Sequence, residues 1–285
     1  VSVTVDPSTG DCWVGSAEGV FRYDQKQRRF VSIPLLKKRI PLSILKASDG
    51  KLWVCGRFGV GFLENGQYTR LESSHNAFSF EVVFDLFEDS RGVIWIGSTD
   101  GVSTYAKQQL QHYKNTDGIF ANRVIHIFED RSGNIWLSSI LGIRIFTGHQ
   151  FGYHSLATGL AYNWIYSVFQ STKGTYYFGT WGKGSSQLDE KSGDLLEPVP
   201  GLSGQKVTAI VDDERNRVWF GTTDNGIFVQ KEGKLRPITE DDGLPSKRIL
   251  SMYRDSRNRI WVGTTKGIGI FQSGKLVKSL KKEDG

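Results

Sequence analysis

Catalysis near neutral pH needs a positioned base, nucleophile or metal, and this 285-residue chain has few residues able to supply one. Its five histidines are His75, His112, His126, His149 and His154, and no two stand in a His-x-His or His-x-x-x-His pair suited to a metal. Cys12 and Cys55 have no metal-binding spacing. On matching strands of neighbouring repeats they would sit about three residues, or ~10 Å, out of step, too far for a disulfide, so two free, buried thiols are expected. Turns such as Glu88-Asp89-Ser-Arg-Gly92 hold one or two acids, too few for the roughly six to eight oxygens around calcium. Gly182-Lys-Gly-Ser-Ser lacks the spacing of a phosphate-cradling loop and precedes no helix. These residues predict no metal, no cofactor and no enzyme activity.

Binding chemistry is better represented. Of eight tryptophans, six recur at one spacing, whereas Trp164 and Trp181 stand outside it. Two such rings suit stacking on sugar faces or aromatic ligands. Lysine and arginine outnumber acids 36 to 30, a net charge of +6 that favours an anionic partner. The runs Lys37-Lys38-Arg39 and Lys281-Lys282 read as solvated loops or protected strand edges. The other basic residues are dispersed and follow no nucleic-acid-reading motif, so no nucleic-acid partner is expected.

One repeat positions these residues. Gly-Asp-Cys-Trp13, Gly-Lys-Leu-Trp53, Gly-Val-Ile-Trp95, Gly-Asn-Ile-Trp136, Gly-Thr-Tyr-Tyr177, Asn-Arg-Val-Trp219 and Asn-Arg-Ile-Trp261 follow one another every 40 to 42 residues. Before each aromatic lies an apolar run ending in a turn, as in Val124-Ile-His-Ile-Phe-Glu-Asp-Arg-Ser-Gly; after it come a glycine turn and another apolar strand. Four short strands per unit at this period indicate a β-propeller blade, and no segment has the 3.6-residue patterning of helical repeats. Residues 1–285 are therefore read as one all-β, seven-bladed propeller of four-stranded antiparallel blades. The recurrent tryptophan packs on the next blade, because one blade cannot bury both of its faces. No stretch approaches the ~18 apolar residues of a membrane span. Val1 to Pro7 has no secretory signal and reads as a strand, and the closing Lys-Glu-Asp-Gly resembles the start of another linker; both suggest a segment of a longer protein.

With strands A to D running from first to last in each blade, the D-to-A loops between blades and the B-to-C turns emerge on one face, around the channel. That face should carry Arg39, Arg57, Arg123, Lys183, Lys206, Lys247 and Lys266 against Glu18, Asp100 and Asp224, together with His75, Phe58, Asn122, Trp164 and Trp181. It is expected to be net positive. The candidate ligand-binding set is Trp164, Trp181, Lys183, Arg57, Phe58, Arg123, Asn122, Asp224, Lys206, Lys247 and Lys266. Blade 5 departs most from the repeat, with Tyr177 in place of tryptophan and an enlarged Gly179-Thr-Trp-Gly-Lys-Gly segment. Blade 2 has Cys55-Gly-Arg-Phe-Gly at the same place. Packing alone would keep the blades uniform, so these two point to function.

Asp117-Gly-Ile-Phe-Ala-Asn-Arg-Val-Ile-His-Ile-Phe-Glu-Asp-Arg-Ser-Gly-Asn-Ile-Trp136, and the segment running from Asp242-Gly-Leu-Pro to Gly-Thr-Thr-Lys-Gly-Ile268, resemble the two-component regulator propeller repeat. The resemblance implies an extracytoplasmic, periplasmic sensor region of a bacterial membrane signalling protein, with its output domain and membrane tether outside this chain. It also implies a small-molecule or oligosaccharide ligand, here with acidic groups to match the basic face. A homodimer or second propeller is the alternative partner. Streptogramin lyases share the seven-bladed architecture and are the enzymatic alternative, but they need a histidine base and acids that hold a metal, and only His75 and His126 could approach such a place.

Overall fold

The computed structural model describes residues 2–6, 9–72, 81–113, 123–148 and 151–280. Seven four-stranded antiparallel sheets follow one another along the chain, making a seven-bladed all-β propeller. The A strands are Ser2–Val5, Pro41–Lys46, Val83–Glu88, Val124–Glu129, Ile165–Gln170, Val207–Asp212 and Ile249–Arg254. Blade 7 ends in a D strand at Lys275–Leu280. Helical structure among the described residues is confined to short 3-10 turns. The chain divides into two compact units, Val1–Tyr153 and His154–Gly285, so the boundary falls at the end of blade 4.

Within each unit the A strands of successive blades lie side by side. Each B strand is covered on both faces, and in Leu52–Gly56, Ile94–Ser98, Ile135–Ser139, Tyr176–Thr180 and Val218–Thr222 every residue is buried. Such strands read as continuous apolar runs, while the D strands carry charged, exposed residues that protect the blade edge. Three of the recurrent tryptophans pack on an aromatic residue of strand C of the next blade. Trp53 meets Tyr105 at 5.2 Å between ring centroids, Trp95 meets Phe146 at 5.7 Å, and Trp219 meets Phe271 at 5.4 Å.

Close approach of blades also explains the glycine two residues after the tryptophan. A Cβ built on Gly221 would lie 2.6 Å from Ile249 Cγ2, and one on Gly179 would lie 2.7 Å from the Val207 carbonyl oxygen. Gly221→Ala should therefore destabilise the chain by about 1–3 kcal/mol, read as a lower urea midpoint at unchanged m-value.

The acidic turns are tight hairpins with a second role invisible as a turn signal. Asp89, Asp130, Asp213 and Asp255, each six residues before a tryptophan, accept the indole N–H of Trp95, Trp136, Trp219 and Trp261 at 2.8–3.0 Å. Their other oxygens accept backbone N–H groups of the turn. The residue before this aspartate grips the preceding blade: Glu129 accepts from Ser90 N and Oγ at 2.7 and 2.6 Å, and Glu88 and Asp212 hold Ser48 and Thr172 in the same manner. In blade 2 the aspartate position is Ala47, and the Trp53 indole N–H is buried without an acceptor. Ala47→Asp would supply one. It should stabilise the chain by about 1 kcal/mol, seen as a midpoint roughly 2–4 °C higher in thermal unfolding.

Candidate ligand-binding site

In blade 5, the stretch before strand A and the B-to-C turn share one edge. Trp181 N donates to the Trp164 carbonyl at 3.0 Å, and Trp181 forms an isolated antiparallel bridge with Lys206, on the loop leading to blade 6. Strand A begins with a bulge: Ile165 pairs with Thr180 and Ser167 with Gly179, leaving Tyr166 as the extra residue. A bulge re-aims its side chain, and the Tyr166 ring lies 4.8 Å from that of Trp181 and 6.1 Å from that of Trp164. Trp164 and Trp181 are themselves 5.8 Å apart. All three rings are half-buried.

Charge is set beside the rings. Lys206 Nζ lies 4.7 Å from the Trp181 ring centroid, within cation–π range, and 3.7 Å from Asp224 Oδ2. The Thr223 hydroxyl, followed by Lys206 and Arg248 nearby, holds the Asp224 carboxyl below its ordinary range. Asn225 Nδ2 donates to Gln205 Oε1 at 2.8 Å, joining the B-to-C turn of blade 6 to the loop before it. Lys183 and Lys247 are exposed on the same set of turns and loops and form no ion pair among the described residues. Lys266 is also exposed, with Nζ 4.0 Å from Glu240. The arrangement offers aromatic surface with ammonium groups at its margin, suited to a ligand that is part apolar ring face and part acid.

Residues 77–100, 118–140, 201–224 and 243–266 match the family model described as two component regulator propeller. Among solved structures, the chain is similar to the extracellular domain of BT4673 from B. thetaiotaomicron, assigned to a hybrid two component system. The identity is 18% and the TM-score 0.78, over 94% of this chain and 37% of that one. It is similar as well to the extracellular domain of BT3049 from the same organism, also assigned to a hybrid two component system (21% identity, TM-score 0.54, 98% and 39% of the two chains). Virginiamycin B lyase from Staphylococcus aureus is a further neighbour, at 13% identity and TM-score 0.72 over 93% and 91% of the two chains. At these identities the likeness is one of fold, and the chain spans under half the length of the two extracellular domains. No curated protein shows significant sequence similarity to it.

Of the residues singled out in the sequence, Trp164, Trp181, Lys206 and Asp224 come together. Lys183, Lys247 and Lys266 lie on turns and loops at the same edge of blades 5 to 7. The two tryptophans are not free-standing rings: they pack on each other and on Tyr166, and the Trp164 indole N–H is buried without a partner. Arg57, Phe58 and Arg123 belong to the first unit. There the Arg39 guanidinium lies over the Phe58 and Tyr68 rings, 5.3 and 4.7 Å from their centroids, and Arg57 is exposed beside it. Arg123 sits over Phe84 at 5.5 Å. Asn122, His75 and His149, with the Lys281-Lys282 run, lie outside the described residues.

Tyr166 escaped sequence reasoning because a bulge breaks the alternation by which strand faces are read; its position beside Trp164 was the available signal. Asp85 was also missed. Its carboxylate accepts from Ser43 Oγ at 3.0 Å, Leu86 N at 2.9 Å and Ile127 N at 2.9 Å, tying three blades together. Burial pushes the Asp85 carboxyl up and the neighbouring His126 imidazole down, so both are moved toward neutrality. An acid so fully engaged is an inter-blade strut. Cys12 and Cys55 are buried and unbridged, and burial raises the Cys55 thiol well above its ordinary range. Among the described residues no His/Cys/Asp/Glu group could hold a metal ion, and no helix is long and apolar enough to cross a membrane.

Proposed function

We propose that this propeller is the extracytoplasmic ligand-recognition part of a bacterial membrane signalling protein, and that it binds an oligosaccharide bearing acidic groups. Its output and membrane segments would lie elsewhere in the protein, and the propeller itself performs no catalysis. The observation that carries this reading is the convergence of Trp164, Tyr166 and Trp181, none of them from the packing position of the repeat, with Lys206 over the Trp181 ring. Aromatic faces suit sugar rings, and the ammonium groups of Lys183, Lys206 and Lys247 suit carboxylate or sulfate. The repeats, and the likeness of fold to extracellular domains assigned to two component systems, support the sensor setting.

Thermal unfolding against matched neutral and acidic oligosaccharides tests it. A ligand at about a hundred times its dissociation constant adds ~2.7 kcal/mol of stability, so an acidic sugar should raise the midpoint by several degrees. Absence of any shift across the panel would remove the carbohydrate reading.

A second reading, a protein partner or second propeller, is favoured by Leu35, Ile40 and Leu42, exposed to 51%, 56% and 40% around the loop entering blade 2. Concentration-dependent sedimentation that Ile40→Asp abolishes would support that reading.

A further inference from the structure

Between blades 5 and 6, on the edge opposite the aromatic cluster, the packing position of the repeat on strand C turns polar. At three other interfaces a tryptophan on strand B meets an aromatic residue on strand C of the next blade: Tyr105, Phe146 or Phe271, paired in register with Ile94, Ile135 and Ile260; in blades 2 and 5 the position is apolar, Leu63 and Leu188. The same register position in blade 6, opposite Val218, is Gln230. The ring it should meet is Tyr177 instead of tryptophan, and the turn position that holds aspartate in four blades is Ser171. Three members of one packing unit have thus been exchanged for smaller or more polar residues at a single interface. The result is a cleft of about 200 Å³ lined by Tyr177, Gln230, Thr175, Asn216, Lys173 and Glu232, among others.

Its chemistry limits what could fill it. Tyr177 contributes a ring, held edge-on to Phe220 at 5.6 Å. Thr175, Asn216, Gln230 and Glu232 bring a hydroxyl, two amides and a carboxylate, and none makes a side-chain hydrogen bond among the described residues. Asp212, at the wall, is already engaged by Thr172 N, Thr172 Oγ1 and Arg254 Nη1, the last at 2.8 Å. That leaves Lys173 and Glu232, whose charges cancel. The volume is below the roughly 300–1,000 Å³ of sites for drug-sized ligands, so a chain of several sugar units would not enter. A mixed amide, hydroxyl and carboxylate lining beside one ring fits vicinal hydroxyl groups on a compact molecule.

We propose that this cleft is a second ligand site, which takes a neutral polyhydroxylated molecule of monosaccharide size. It is separate from the aromatic cluster and does not depend on that cluster's assignment.

The probes are neutral hexoses and pentoses, added singly to the whole chain and followed by saturation-transfer NMR and calorimetry. At least one should bind with a dissociation constant on the order of 1 mM, and Trp181→Ala should leave that affinity unchanged. The triple variant Ser171→Asp, Tyr177→Trp, Gln230→Phe rebuilds the packing of the other blades, and in it the affinity should fall at least tenfold. Should the triple variant fail to fold, Gln230→Leu, which removes the amide without adding a ring, should give the same loss. The proposal is overturned if no sugar binds the wild type, if the filled cleft binds as well as the open one, or if Trp181→Ala abolishes the signal. The last result would place the monosaccharide at the aromatic cluster instead.

Discussion

Asp255→Ala will lower the stability of the propeller by about 3 kcal/mol, a fall in unfolding midpoint of roughly 6–10 °C. The side chain is buried and fully used: Oδ1 accepts from the backbone N–H groups of Arg257 and Arg259 at 3.0 and 2.9 Å, and Oδ2 from Arg259 Nε at 2.7 Å and Trp261 Nε1 at 2.9 Å. Truncation leaves a buried indole N–H without an acceptor and a partly covered guanidinium without its counter-charge. Each lost acceptor of a buried donor costs about 1–3 kcal/mol, while the Arg259 contribution is reduced because its side chain remains 30% exposed. Asp255→Asn, which keeps an acceptor oxygen, should lose about half as much. Equal losses in the two variants would show that the charge, not the indole hydrogen bond, holds the turn.

The same geometry sets an acid limit. Burial raises the Asp255 carboxyl, but hydrogen bonds from Trp261 and Arg259 outweigh it and hold the group below its ordinary range; Asp89 is held down in the same way by Trp95 and Arg91. A carboxyl depressed in the folded state contributes stability that is fully present above its unfolded pKa of about 3.9 and lost as pH falls through the folded value. Urea midpoints of the wild type should therefore drop as pH falls below about 4, and Asp255→Ala should show a shallower drop. Parallel pH profiles would contradict this assignment.

Trp181→Ala is expected to weaken oligosaccharide binding about thirtyfold or more while lowering stability by no more than about 1 kcal/mol. The ring is half-buried, stacks on Tyr166 at 4.8 Å, and has Lys206 Nζ 4.7 Å from its centroid. Removing it takes away a ligand platform and the element that positions the ammonium. Lys206→Met tests the charge separately, since it should weaken acidic sugars and leave neutral ones unchanged. Calorimetric titration of both variants and their double variant reads the coupling; additive losses would mean that ring and ammonium act on different parts of the ligand. Unaltered affinity in Trp181→Ala would remove the blade 5 cluster as the site.

Fold was legible because its signals are local and repeated seven times. A 40 to 42-residue spacing of aromatics identifies the blade, and apolar runs mark strands covered on both faces. The aspartate six residues before the tryptophan was equally visible, but its hydrogen bond to the indole was not, since that depends on how the turn folds back over the ring. Trp164 and Trp181 stood out as irregular, and the blade model places their loops on one edge. Whether they stand open or stack on each other depends on a backbone hydrogen bond between those loops and on the bulge that aims Tyr166 toward them; that bulge recurs in the A strands of other blades, but it shows only in the pairing register.

Gln230 illustrates the remaining gap. As a polar residue on a strand it is unremarked in sequence, and it becomes informative only when register sets it at the position that Phe146 and Phe271 occupy in other blades, facing Tyr177 in place of tryptophan. By itself, then, the sequence determined the blade, the number of blades and the edge that carries the irregular loops, because period and burial pattern are properties of contiguous residues. The aromatic cluster and the cleft between blades 5 and 6 were decided by tertiary structure: the first is made where two loops and a bulged strand of blade 5 meet Lys206 of the following loop, the second where side chains of two blades meet, and which side chains meet is set by pairing register and bulges instead of by neighbours in the chain.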